Sequence, residues 1–296
     1  MRQLSRYERW NRLLELVAER GHLEVADAAR TLDVSEATIR RDLDQLAEQH
    51  MLTRTRGGAT GSTQLAHELP LLYKTARHAH EKQRIGRAAA GLIRPGATVV
   101  LNGGTTTIEV ARALAGRSAG GRAQPADMTG PADKAGPAVT VVTNALSIAN
   151  ELVIRPQVKL VVTGGVARPE STELIGPLAT YLLNDLTFDW AILGVDGIDT
   201  VAGASAHHEG EASINRLMAQ RAQRVAIVAD SSKLGKPAFA RVCGVTEIDV
   251  LVTDASPESP AVMSLAERGI RIIAALRSGS DHGLPLRTRD DHVMHF

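Results

Sequence analysis

Residues 34–46 read VSEATIRRDLDQL, and this stretch decides the N-terminal part of the fold. Ser35 is a good helix N-cap, and Val34 and Ile39 stand at the two positions of a hydrophobic staple around it, so a helix is expected from there to about Gln49. At ~100° per residue this helix turns Ile39, Leu43 and Leu46 inward. Ala37, Thr38, Arg41 and Gln45 then lie on or near the opposite face, with Arg40 at its flank. Upstream, residues 25–32 read as a short second helix. Trp10, Leu13, Leu14 and Val17 follow an i, i+3, i+4, i+7 spacing, so residues 1–20 read as an amphipathic first helix that Gly21 stops. Downstream, MLTRTRGGAT (51–60) reads as a strand that turns at Gly57-Gly58, a small wing. Residues 1–60 thus form one compact unit of three helices and a wing.

The outward face of the third helix carries groups that can read bases. Arg makes bidentate contacts to guanine, Gln pairs with adenine, and Thr and Ala touch the thymine methyl. Ser35, Ala37, Thr38, Arg40, Arg41 and Gln45 are therefore the candidate DNA-facing set, with Arg54 and Arg56 on the wing placed for phosphates or the minor groove. The alternative is a solvated helix face, because Glu36, Asp42, Asp44 and Glu48 cancel the local charge.

The remaining sequence changes character. The chain has 296 residues, 34 Lys+Arg against 33 Asp+Glu, 44% hydrophobic and 3% aromatic residues, a composition of globular proteins of about two domains. Residues 61–83 are mixed polar with Pro70 and read as a linker. After them, short apolar runs rich in β-branched residues recur at 98–102, 139–143, 158–163, 190–194, 225–229, 249–253 and 270–274, separated by helical stretches. That alternation predicts an α/β domain over 84–276, built on a mostly parallel sheet covered on both faces. Residues 116–138, rich in Gly, Ala and Pro, read as a flexible insertion, and 277–296 as a loose tail. The single cysteine, Cys243, excludes an internal disulfide and a Cys-based zinc site. No apolar run reaches ~18–20 residues, and MRQLSRYERW is charged where a signal peptide needs an apolar stretch, so a cytoplasmic protein without a membrane partner is expected.

Several strand ends carry polar motifs. Asn102-Gly103-Gly104-Thr105-Thr106-Thr107 ends a strand and opens a helix, where backbone N–H groups, three hydroxyls and the helix dipole suit an anion. An ordinary capped glycine turn is the alternative. Thr143-Asn144 and Gly164-Gly165 lie at the same C-terminal edge, where ligands of open α/β sheets gather, and Lys233 follows another strand and supplies a cation for the same phosphate. Asp196 in GVDGID and Glu211 offer carboxylates to the polar groups of a ligand, while a locally capped Asp-Gly turn is the alternative for the acidic loop. His207-His208 lacks a third spaced ligand, so no metal and no cofactor are expected.

VSEATIRRDLDQL followed by LTRTRGGA resembles the winged helix-turn-helix of DeoR-family bacterial repressors. The resemblance continues in order through EKQRIGRAAAGLI (81–93), LNGGTTT (101–107), VVTN (141–144), VTGG (162–165), LIGPLA (174–179), LGVDGID (193–199) and ADSSKLG (229–235). It departs at Asn102, where the family usually has Asp, and at Arg56, where a wing His is common. The resemblance implies a DNA-binding regulator, a repressor of a carbohydrate transport or catabolism operon, acting as a homo-oligomer (dimer or tetramer) on double-stranded operator DNA. It also implies a sensor domain similar to ribose-5-phosphate isomerase, with a phosphorylated sugar as effector. The competing reading is an isomerase-like enzyme with a vestigial DNA-binding head. The isomerases resembled follow their acidic loop with a Lys-Gly-Gly-Gly segment, whereas this chain has no lysine between Lys159 and Lys233.

Overall fold

The computed structural model describes residues 6–48, 51–61, 78–120 and 138–276. The first unit consists of α1 (Arg6–Arg20), β1 (His22–Glu24), α2 (Val25–Leu32), α3 (Glu36–Glu48), β2 (Leu52–Thr55) and β3 (Gly58–Gly61). The staggered apolar residues of α1 meet those of α3: Trp10, Leu13, Leu14 and Val17 are buried in one core with Ile39, Leu43 and Leu46. The sharp turn between α2 and α3 uses Asp33 in the left-handed region (φ 53°), a conformation Asp tolerates better than most residues. Gly57 (φ 87°) closes the β2–β3 hairpin. β1 pairs with β3 on its other side and completes a three-stranded antiparallel sheet in the order β1-β3-β2.

The second unit begins with α4 (Ala79–Ala90), followed by β4 (Thr98–Leu101), α5 (Thr105–Gly120), β5 (Val139–Thr143), α6 (Leu146–Leu152) and β6 (Val158–Val162). A hairpin, β7 (Val166–Arg168) and β8 (Glu173–Ile175), leads into α7 (Pro177–Asn184) and β9 (Trp190–Gly194). Then come β10 (Gly197–Asp199), β11 (Gly203–Ala206), α8 (Glu209–Gln220), β12 (Val225–Val228), β13 (Ala240–Cys243), β14 (Val250–Thr253), α9 (Pro260–Ala266) and β15 (Arg271–Ala274). The seven apolar runs form one parallel sheet, ordered β15-β14-β12-β9-β4-β5-β6, with each run within a residue of its strand. The smaller strands were not visible in the sequence, because three or four residues of an antiparallel pair carry too little alternation to register.

Strand side chains point alternately to the two sheet faces, and each face buries its own core. Val99, Leu101, Val141, Ile192 and Val228 pack under α4, α5 and α6, with Ile85, Val110, Leu114 and Ile148 opposite them. Val100, Val142, Leu193, Ile227 and Leu251 pack under α7, α8 and α9, against Leu183, Ile214, Met218 and Leu265. The chain runs outward from β4 through β5 to β6, and then from β9 through β12 and β14 to β15 on the other side. The order therefore reverses between β4 and β9, and in such sheets a crevice opens there at the C-terminal strand ends.

Two boundaries differ from the sequence reading. α5 continues through Gly120, so the insertion expected from Gly116 begins later; an Ala-rich helix absorbs one interior glycine at a cost of ~1 kcal/mol. α4 starts at Ala79, inside the expected 61–83 linker, because its polar residues are good helix formers and Ile85, Ala89 and Ala90 give it a packing face. Residues 62–77, 121–137 and 277–296, the rest of the expected linker, insertion and tail, lie outside the described residues. Among the described residues no helix is long and apolar enough to cross a membrane.

Candidate nucleic-acid interface and effector crevice

The third helix presents its expected face. Ser35, Ala37, Arg40 and Arg41 are exposed, and Thr38 and Gln45 are half-buried. Ser35 caps the helix: its Oγ accepts from the Thr38 N–H (3.2 Å) and lies 2.9 Å from Thr38 Oγ1. Arg40 pairs with Glu36 at 2.7 Å, an exposed i,i+4 contact worth little in water and easily exchanged for a phosphate. Asp42 does not join the outward charges, as the charge-cancelling reading assumed. It is buried and accepts from the Arg9 guanidinium and from Trp10 Nε1 (2.8 Å), clamping α1 to α3. It sits one turn from Ile39 and Leu46, on the inward face, where an acid is kept only if it is paired.

The wing arginines divide. Arg54 Nε donates to Asp44 Oδ1 (2.7 Å) and its Nη1 to the Gly58 carbonyl, so this guanidinium braces the wing against α3. The brace uses Nε and Nη1 of a group with five N–H donors, so the expected phosphate contact of Arg54 stays open beside it. Arg56, beside the Gly57 turn, is exposed and has no ion-pair partner among the described residues.

At the β4–β9 switch, strand ends bring the second set together. Asn102, buried at the end of β4, donates from Nδ2 to the Gly194 carbonyl (2.9 Å) and accepts from the Gly194 N–H (2.8 Å). It latches β4 to β9 as part of the crevice floor, which accounts for its side chain better than the expected ligand contact. Gly103 and Gly104 turn the chain into α5, whose first N–H groups have no partners within the helix. Thr107 is fully buried and its hydroxyl bonds the Gly104 carbonyl (3.0 Å), so it closes the turn; Thr105 is half-buried and Thr106 buried. Thr143 is buried, and its Oγ1 accepts from the Ala145 N–H (3.0 Å) in a local turn that leads into α6. Gly164 and Gly165 carry β6 into the β7–β8 hairpin. A Cβ on Gly165 would stand 2.8 Å from the Ile175 carbonyl oxygen, so glycine is there for close approach of strands rather than for a ligand.

The charged groups face one another across the crevice. Asp196 accepts from the His207 N–H (3.0 Å) and lies 3.7 Å from Lys233 Nζ. Asp199, by contrast, folds back on the Val201 and Ala202 N–H groups as a locally capped turn. Glu211, in the first turn of α8, takes Arg168 Nη1 at 3.0 Å. His208 caps α8, its Nδ1 accepting from the Gly210 N–H (3.1 Å). Burial would raise the Asp230 carboxyl, but the Ser232 hydrogen bond and the charges of Lys82, Lys233 and His78 outweigh it and hold it below its ordinary value. Cys243 is buried, and its thiol is pushed up to about 12, which leaves no nucleophile there.

Two participants escaped the sequence reading. Arg168 on β7 is the cation for Glu211, and Glu173 on β8 accepts from Asn144 Nδ2 at 2.9 Å. Burial and then the charge of Glu211 push the Glu173 carboxyl up to about 8, against hydrogen bonds from Asn144 and the Gly103 N–H. The only sequence signal for Glu173 is a lone acid entering the apolar run LIGPLA.

With this geometry, residues 9–64 match the family model of the DeoR-like helix-turn-helix domain, and residues 77–120 and 132–255 that of the DeoR C terminal sensor domain. A putative aga operon transcriptional repressor of Escherichia coli O157:H7 is 32% identical over 268 residues, covering 90% of this chain and 93% of its own length. The HTH-type transcriptional regulator GlpR of Haloferax volcanii is 32% identical over 267 residues (90% and 96%). The glycerol-3-phosphate regulon repressor of Escherichia coli K12 is 28% identical over 269 residues (91% and 99%). Among solved structures, ribose 5-phosphate isomerase A of Methanocaldococcus jannaschii aligns with 53% of this chain and 54% of its own, at a TM-score of 0.36 and 15% identity.

Proposed function

This chain belongs to the DeoR family of DNA-binding transcriptional regulators, and from that premise we propose that it represses a carbohydrate transport or catabolism operon and leaves its operator when a phosphorylated sugar fills the β4–β9 crevice. The observation that carries the effector half is the meeting, at one switch point, of the Gly103–Thr107 turn with Lys233, Asp196, Arg168 and Glu211. The turn and Lys233 suit the phosphoryl group, and the acids suit sugar hydroxyls. The relative named for the glycerol-3-phosphate regulon supports a phosphorylated metabolite as the signal. On the DNA side, Arg41, Gln45, Ala37 and Thr38 would meet base edges, with Arg40, Ser35 and Arg56 on the backbone. A winged helix reads one half-site, so a two-fold operator asks for at least a dimer of this cytoplasmic protein.

The isomerase alternative needs a carboxylate available for proton transfer. Glu211, the acid it would use, is held by Arg168, which favours a positioning role. The test is fluorescence anisotropy on the protein's own promoter region, titrated with sugar phosphates and with the parent sugars. Release by a phosphorylated compound and not by its parent is expected. Retention of DNA in every phosphorylated compound, or turnover of an aldose phosphate to a ketose phosphate, would overturn the proposal.

A further inference from the structure

Glu173 is an acid for which the proposed reading has no use, yet it lies at the β4–β9 switch against Gly103 and Asn144, with Glu211 and Asp196 near it. It is 4% exposed, and its carboxylate takes the Gly103 N–H and Asn144 Nδ2, the donors an incoming oxyanion would need. The contact is tight: a Cβ built on Gly103 would lie 2.3 Å from Glu173 Cγ and 2.6 Å from its Oε1. The neighbouring acids have their own cations, Arg168 for Glu211 and Lys233 for Asp196, whereas the groups bonded to the Glu173 carboxylate are neutral amides. Asn144 Oδ1, fully buried in the same cluster, has no hydrogen-bond partner among the described residues. Buried acceptors are seldom left so.

We propose that the Glu173 carboxyl is a displaceable stand-in for the effector's anionic group, seated on the Gly103 N–H when the crevice is empty and expelled from it when a phosphoryl group enters. The inference rests on the reading of the crevice as an anion site. One N–H cannot serve both oxyanions, and two anions in a water-poor crevice repel strongly. Displacement therefore admits the ligand most readily while Glu173 is protonated. With the carboxyl pushed up to about 8, a neutral Glu173 is available near pH 7 and is lost above pH 8. The charged groups facing it are Glu211 from α8 and Asp196 from the loop after β9, each held by its cation; the Gly103 turn and the Asn144 segment contribute only amides. Arg168 and Glu173 are register partners in the β7–β8 hairpin, so expelling one side chain bears on the strand that holds the cation for Glu211.

Sulfate separates these effects, because its charge is constant between pH 7 and pH 9 whereas that of phosphate is not. Calorimetric titration of the full chain with sulfate should show wild-type affinity falling about ten-fold from pH 7 to pH 9, the slope of one proton taken up beyond a pKa near 8. Glu173→Gln, isosteric and neutral, should bind almost equally at both pH values. Glu173→Ala, with no stand-in, should bind more tightly than wild type at both. Lys233→Ala should weaken sulfate at both pH values and keep the wild-type slope. Equal affinity and slope in wild type and Glu173→Gln, with Lys233→Ala still weak, would overturn the stand-in and leave the anion site intact. Absence of sulfate binding in all four proteins would overturn the anion reading and this inference with it.

Discussion

Arg41, Arg54 and Arg56 all belong to the DNA-binding unit, and their different surroundings lead to three different expectations. Arg41 stands exposed on α3, so Arg41→Ala should cost ~1–3 kcal/mol against the specific operator and little against random DNA. Arg56→Ala should weaken both about equally and lower the salt slope by about one unit. Arg54→Ala removes the Asp44–Gly58 brace, so a stability loss of ~1 kcal/mol should accompany any loss of affinity. Anisotropy at several salt concentrations together with urea denaturation distinguishes the three; a purely salt-dependent effect of Arg54→Ala would contradict the brace. Glu173 gives a second expectation. Its folded pKa, about 8, lies above the ordinary 4.5, so the folded chain holds a proton that the unfolded chain releases. Its contribution is complete below pH 4.5, declines as pH rises from there, and is gone above about pH 8. Asp230, held low, acts in the opposite sense and only in acid. Wild-type Tm should therefore fall between pH 5.5 and pH 8.5 by more than that of Glu173→Gln, and equal falls would contradict a buried, proton-holding Glu173.

At the scale of the element, the β7–β8 hairpin is the part whose position matters most, since it holds Arg168 and Glu173 opposite each other over the crevice. Its entry depends on two adjacent glycines with unequal demands. Gly165 has φ 130° and its missing Cβ would meet the Ile175 carbonyl at 2.8 Å; Gly164 has φ 74° and open space around it. Gly165→Ala should cost ~2 kcal/mol or more, since it must move a strand as well as strain the backbone, and Gly164→Ala ~1 kcal/mol from strain alone. Urea denaturation measures both, and equal costs would mean the hairpin is not in close contact. α3 shows how far an element is readable beforehand: its apolar stagger gave Ile39, Leu43 and Leu46 as the buried face, but not the burial of Asp42 among them, which the Arg9 and Trp10 partners make tolerable.

For the whole molecule, release of DNA by an effector is a coupling between two sites, and such coupling is reciprocal in binding free energy. If a sugar phosphate weakens operator binding by some factor, saturating operator DNA must weaken sugar-phosphate binding by the same factor. The usual range, ~1–3 kcal/mol, corresponds to 5–150-fold. Measuring both sides of the cycle with wild type and with Lys233→Ala checks this. The variant should lose effector affinity ten-fold or more while its operator affinity without effector stays near wild type, giving a repressor that no longer releases. Loss of operator affinity in Lys233→Ala alone would show that the lysine serves folding rather than sensing.

The sequence by itself determined the two-part organisation, the helix-turn-helix, the wing, and all seven strands of the parallel sheet, because periodicity and capping are local and are written within a dozen residues. It also located the sheet edge where Asn102, Asn144, Asp196 and Lys233 gather, since parallel strands end in loops on one side. Only the tertiary structure decided what each of those side chains does. Asn102 reaches across 92 residues of chain to Gly194, Asn144 across 29 to Glu173, and Arg168 across 43 to Glu211. Whether a buried acid or amide is latch, counter-ion or ligand contact depends on which donor lies within about 3 Å, and a hydrogen bond's range is far shorter than the packing error that a hydrophobic pattern leaves open.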